Sequence, residues 1–149
     1  MDEKTVAEIA AWATLAANAV AAAYAGWRWW QVRPSAAIWP LLRAAQAVAV
    51  AQALVAGVLF AVGYMPADGL YWLYAVLPIA IGLIAEQLRI AAAEQVLENR
   101  GLEDAQAVGA LPEVEQRSVV LAIVRREVGV VALAAGVVAF LALRAALIV

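Results

Sequence analysis

Four stretches of the chain contain no charged residue. They lie between Glu8 and Arg28, Arg43 and Asp68, Asp68 and Glu86, and Glu127 and Arg144, and hold 19, 24, 17 and 16 residues. A bilayer's hydrocarbon core of ~30 Å takes ~20 apolar residues of helix, with ~17 at the lower end. The pattern predicts an all-α integral membrane four-helix bundle, with spans at about 8–29, 38–64, 70–88 and 124–146 in one domain covering residues 1–149.

Helix punctuation agrees with these spans. Pro34-Ser35 separates the first helix from the second, and Pro40 suits a first turn, where its missing N–H costs nothing. Gly101 is placed to end the third helix in the left-handed conformation. Pro112, followed by Glu113 and Glu115, starts the fourth with acids on its positive dipole end. Pro78 falls mid-span and frees the carbonyl of Tyr74. The third helix runs from about Leu70 to Asn99 and the fourth from about Pro112 to Leu147, or ~45 Å and ~54 Å, well beyond a ~30 Å core. The excess predicts a cytoplasmic helical hairpin at about 89–123, with Leu88, Ala92 and Val96 facing Val114, Leu121 and Val128.

Composition strengthens the membrane assignment. Hydrophobic residues make up 67% and charged residues 15% of the chain, against roughly 45–50% and ~25% in soluble domains. The charges are sorted by region. Eight of the ten basic residues (Arg28, Arg33, Arg43, Arg89, Arg100, Arg117, Arg125 and Arg126) adjoin the first and third connections. Lys and Arg mark the cytoplasmic side of short loops, so both termini are expected outside the cytoplasm. Trp27, Trp29, Trp30 and Trp39 at the inner turn, and Trp12, Tyr64, Tyr71, Trp72 and Tyr74 at the outer ends, suit interfacial belts. Abundant Ala and Arg, with Lys nearly absent, fit a GC-rich bacterial genome, which makes the plasma (inner) membrane the expected location.

Small residues predict close helix packing, which in lipid replaces the missing hydrophobic drive. Ala13, Ala17, Ala21 and Ala25 form a four-residue ladder on the first helix, and Ala45, Ala49, Ala53, Gly57 and Ala61 form one on the second. These ladders predict a tight contact between the two helices, and a further small face could support a homo-oligomer.

Candidate chemistry is sparse. The chain has no His and no Cys, which removes imidazole and thiolate ligands and most nucleophiles, so no cofactor, no metal site and no catalytic residue are expected. The Arg residues form no stripe suited to nucleic acid. By helix rise, Glu86 and Glu127 lie ~24–25 Å from the outer ends, at the level of Arg43, Arg89, Arg125 and Arg126. This inner-boundary cluster is a candidate site for an anionic lipid or substrate, set against interfacial ion pairing and snorkelling. Asn18, Gln46 and Gln52 form a candidate polar pathway, set against interhelical hydrogen bonding.

The leading expectation is a non-enzymatic membrane protein in contact with membrane lipid, whose hairpin at residues 89–123 docks a protein partner or organises an assembly. The alternative is a homo-oligomeric small-molecule or ion transporter or channel, with its polar site at the inner boundary. A lipid-headgroup enzyme working through Glu86, Glu127 and the arginines is a third.

Overall fold

The computed structural model describes residues 1–33 and 35–149. Four long helices, α1 (Glu3–Trp30), α2 (Ile38–Ala61), α3 (Leu70–Asn99) and α5 (Glu113–Ile148), are joined by loops and one short helix, α4 (Ala105–Gly109). All four long helices have the length and apolar content to cross a membrane. They form a ring in which α5 packs most extensively on α1 and α3, and α2 closes the circle against α1 and, more loosely, α3. The α2–α3 side is the weakest seam between ring neighbours.

Local chemistry sets the helix ends. The Asp2 carboxylate accepts the Thr5 amide at 2.9 Å and caps α1. Bonding to Thr5 holds the Asp2 carboxyl below its ordinary value, so the cap is intact above the usual carboxylate range and is lost on acidification. α3 ends as expected: Gly101 has φ 65°, and the Leu102 amide reaches back to the Leu97 carbonyl at 3.0 Å. Gly63, with φ 84°, ends α2 in the same manner, three residues short of the expected span limit. Val32 takes φ 54° at the end of α1, a conformation that costs a β-branched residue ~1–2 kcal/mol. The break expected at Pro34 lies outside the described residues.

The hairpin connection is more ordered than a loop. Asp104 caps α4 by accepting the Ala107 amide at 2.8 Å. Gln116 donates to the carbonyls of Gly109 and Leu111, and Arg100, the C-cap of α3, donates to Ser118 of α5 at 3.2 Å. Val96 and Val119 are buried between the two helices, whereas Leu88, Val114 and Leu121 are exposed. Of the expected facing set Val96 and Val128 are buried, but the inward residue near the hairpin tip is Val119, about 160° around α5 from Leu121.

The small-residue ladders need a similar correction. Ala21 and Ala25 are buried on α1, but toward its N-terminus the buried face runs through Asn18, Thr14, Ala11 and Ala7, and Ala13 is exposed. On α2, Ala45 and Ala49 are buried and the face continues through Gln52, Ala56 and Leu59, leaving Gly57 and Ala61 exposed. A strict four-residue repeat drifts by about 40° per step around a 3.6-residue helix, so only alternating steps of three and four stay on one face. The most extensive contact of α1 is with α5 rather than α2. At Gly129 of α5 the Trp29 side chain comes close: a Cβ there would meet the indole nitrogen at 3.0 Å.

The burial pattern makes a direct prediction. Ala11→Leu should overpack the α1 contact face and destabilise the fold by about 1–3 kcal/mol, whereas Ala13→Leu should stay within about 0.5 kcal/mol of the wild type. Reversible unfolding in mixed micelles measures both, and equal losses would contradict the assigned face.

Candidate functional site

The charged residues of three helices meet at the arginine-rich end of the bundle. Arg43 lies in the second turn of α2, Gln46 three residues further on, and Glu86 and Arg89 three residues apart on α3. Arg43 donates through Nη1 to Oε1 of Glu86 at 2.9 Å and to Oε1 of Gln46 at 2.7 Å, and Gln46 donates to the same Glu86 oxygen at 3.4 Å. Arg89 takes the other Glu86 oxygen, at 3.0 Å through Nη2, and reaches Glu127 of α5 at 3.6 Å through Nη1. Its guanidinium also lies 5.2 Å from the centre of the Trp39 ring, a cation–π contact back to α2.

Arg89 is therefore the hub. Its side chain is 25% exposed, with Glu86 at 26% and Glu127 at 17%. Two guanidinium groups balance two carboxylates, so the half-buried cluster carries no net charge. That arrangement satisfies groups whose burial alone would be costly. Arg43 differs from the rest: its side chain is 59% exposed. No hydrogen bond among the described residues uses its Nε or Nη2. Those donors are available to a further acceptor.

Four of the six charges predicted to share a layer are thus joined: Arg43, Glu86, Arg89 and Glu127. Arg125 instead stacks over Trp29 at 5.5 Å, and Arg126 donates to Gln95 of α3 at 2.8 Å. Successive helix residues are separated by about 100°, so 125, 126 and 127 cannot all face one site.

The three polar candidates also separate. Gln46 joins the ion network. Asn18 donates to the carbonyls of Thr14, at 3.0 Å, and Ala45 of α2, at 3.3 Å. Thr14 donates to Ala10 and Val48. These bonds link α1 to α2. Gln52 is buried, with neither amide atom partnered among the described residues, and it lines a separate groove between α1 and α2.

Asn18, Arg43, Gln46 and Glu86 all line a cleft of about 220 Å³ on the loose α2–α3 side. Its walls are otherwise apolar and largely small, including Ala49, Pro78, Gly82 and Ala135. The cleft is not legible in the sequence, because it arises where small residues of three helices, Ala49, Gly82, Ala134 and Ala135, come together. Sequence reasoning also treated Trp29 and Trp39 as interfacial anchors, whereas each carries an arginine. Tyr71, expected at the interface, is fully buried, and its hydroxyl lacks a partner among the described residues.

At the opposite end, Trp72 packs edge-on against Phe60, Tyr64 and Tyr71, and Arg144 lies 5.9 Å from the Tyr74 ring. Fold and site together define an all-helical chain with four candidate membrane-spanning helices and a neutral ion network at its basic end. No family model, curated protein or solved structure matches it.

The hub assignment predicts unequal arginines. Arg89→Ala leaves two half-buried carboxylates without their common partner and should destabilise the fold by about 1.5–3 kcal/mol. Arg126→Ala, which removes one exposed bond, should cost under about 1 kcal/mol. Unfolding midpoints in detergent decide the order, and a larger loss for Arg126→Ala would contradict it.

Proposed function

We propose that the chain is a non-enzymatic, multi-pass protein of the bacterial plasma membrane, and that its α3–α5 hairpin docks a basic protein partner in the cytoplasm. The basic residues around the first and third connections support an insertion with both termini outside. The ion network then marks the inner membrane boundary, where half-exposed guanidinium groups reach the headgroups.

One observation carries the docking role. The hairpin is longer than a span requires, and the excess presents exposed apolar side chains on an acidic surface. Val114 is 82% exposed, and Leu121, seven residues on, shares its face of α5. Between residues 94 and 117 the chain carries Glu94, Glu98, Glu103, Asp104, Glu113 and Glu115 against Arg100 and Arg117. An acidic tip is repelled by anionic headgroups and complements a basic protein surface, while the exposed valine and leucine supply apolar anchors. The transporter alternative has less support, because Gln52 lies in a groove apart from the cleft that Asn18 and Gln46 share.

A photoreactive side chain at Val114 tests the docking role in intact cells. It should give a discrete protein adduct that disappears when Glu113 and Glu115 are changed to Lys, while the same probe at Leu133, on the exposed apolar exterior, should give lipid adducts only. Absence of a protein adduct at Val114, or an adduct indifferent to the charge reversal, would overturn the proposal.

A further inference from the structure

The cleft between α2 and α3 has a feature that partner docking does not use: an apolar trough with a cation at one end. It runs along α2 from Leu42 to Val50 and along α3 from Pro78 to Glu86, about 12 Å by helix rise. That is close to the hydrocarbon depth of one leaflet, about 15 Å. Its volume of about 220 Å³ exceeds that of apolar cavities of ~150 Å³ that stay dry and take up hydrocarbon. Helix α5 closes the back through Ala135 and Val138.

The polar groups sit together at the arginine-rich end. Arg43 is on the rim, more than half exposed, with Nε and Nη2 making no hydrogen bond among the described residues. Glu86, the one carboxylate lining the cleft, has both oxygens engaged: Oε1 by Arg43 and Gln46, and Oε2 by Arg89. Its charge is shared between two guanidinium groups, so Arg43 is left able to accept a second anion. An acyl trough ending at a guanidinium with spare donors has the chemistry of a phosphodiester lipid, because Arg holds phosphate oxygens through charge-assisted, commonly bidentate bonds.

We infer that this cleft binds one glycerophospholipid of the leaflet at the arginine-rich end, with an acyl chain between α2 and α3 and its phosphate on Arg43. The site requires insertion in a membrane but is independent of hairpin docking, and either can fail without the other. It also explains the loose α2–α3 seam: the lipid chain supplies the packing that Gly82 and Ala49 omit.

Gly82 provides a clean test, because a Cβ placed there meets nothing within 4 Å. Gly82→Phe should therefore add bulk at the trough wall from an unopposed Cβ, and Gly82→Leu serves as a smaller second variant. Arg43→Gln removes the cation and keeps a polar side chain. The full chain in maltoside micelles is titrated with phosphatidylglycerol, and retained lipid is counted by native mass spectrometry, with helical content by circular dichroism as the folding control.

The wild type should retain one phosphatidylglycerol per chain. Arg43→Gln and the Gly82 variants should each weaken retention about tenfold or more, and Arg126→Gln should leave it unchanged. Diacylglycerol with the same acyl chains should bind the wild type at least about tenfold more weakly, and inorganic phosphate alone should not displace the lipid. Unchanged retention in Arg43→Gln or in both folded Gly82 variants overturns the inference. So does equal binding of diacylglycerol, or displacement by phosphate alone.

Discussion

The bridge from Glu86 through Arg89 to Glu127 is the contact on which the basic end of this molecule depends. It fastens α3 to α5 where each changes from an apolar to a charged helix, and Arg43 and Trp39 bring α2 to the same point. A lone carboxylate at that depth would be costly, as would a lone guanidinium. Together they form a neutral collar at which three helices meet at a common level. On the proposed placement, that level is the cytoplasmic face of the membrane.

Two features follow from the collar's position. Beyond it, α3 and α5 continue with Val96 and Val119 buried between them and an acidic, partly apolar exterior. Below it, the α2–α3 seam is filled poorly because Gly82 of α3, Ala49 of α2 and Ala134 and Ala135 of α5 line it with little bulk. The α1 side is the reverse. There Gly129 lets Trp29 approach α5, and Asn18 and Thr14 bond to α2 carbonyls, so polar contacts tie α1 to α2. The bundle is thus bonded across α1–α2 and loosely packed across α2–α3, where the exposed Arg43 lies.

Helix number, approximate limits and the extended hairpin were legible from charge-free run lengths and from Gly101 and Pro112, because those signals are local. The composition of the charged layer was partly legible. Axial rise placed six charges at one height, but height does not determine direction, and Arg125 and Arg126 turn to Trp29 and Gln95. Ladders read at a fixed spacing of four misjudged the buried faces of α1 and α2, since the repeat drifts around the helix. The cleft was not legible, because a void arises only when small positions on different helices come opposite one another. Tyr71 shows the same limit: its ring suits an interface by type, yet neighbouring helices cover it completely.

On the proposed placement the Glu86–Arg89–Glu127 collar marks the cytoplasmic membrane boundary. The chain contains no cysteine, so single Leu73→Cys, Leu83→Cys, Glu94→Cys and Glu98→Cys variants report position along α3 directly. Each can be treated with a membrane-impermeant maleimide in right-side-out and inverted vesicles. The collar predicts labelling of the two hairpin positions in inverted vesicles only, and protection of Leu73→Cys and Leu83→Cys in both. Labelling of the hairpin positions from outside would contradict the orientation, and labelling of Leu83→Cys as readily as Glu94→Cys would contradict the boundary itself.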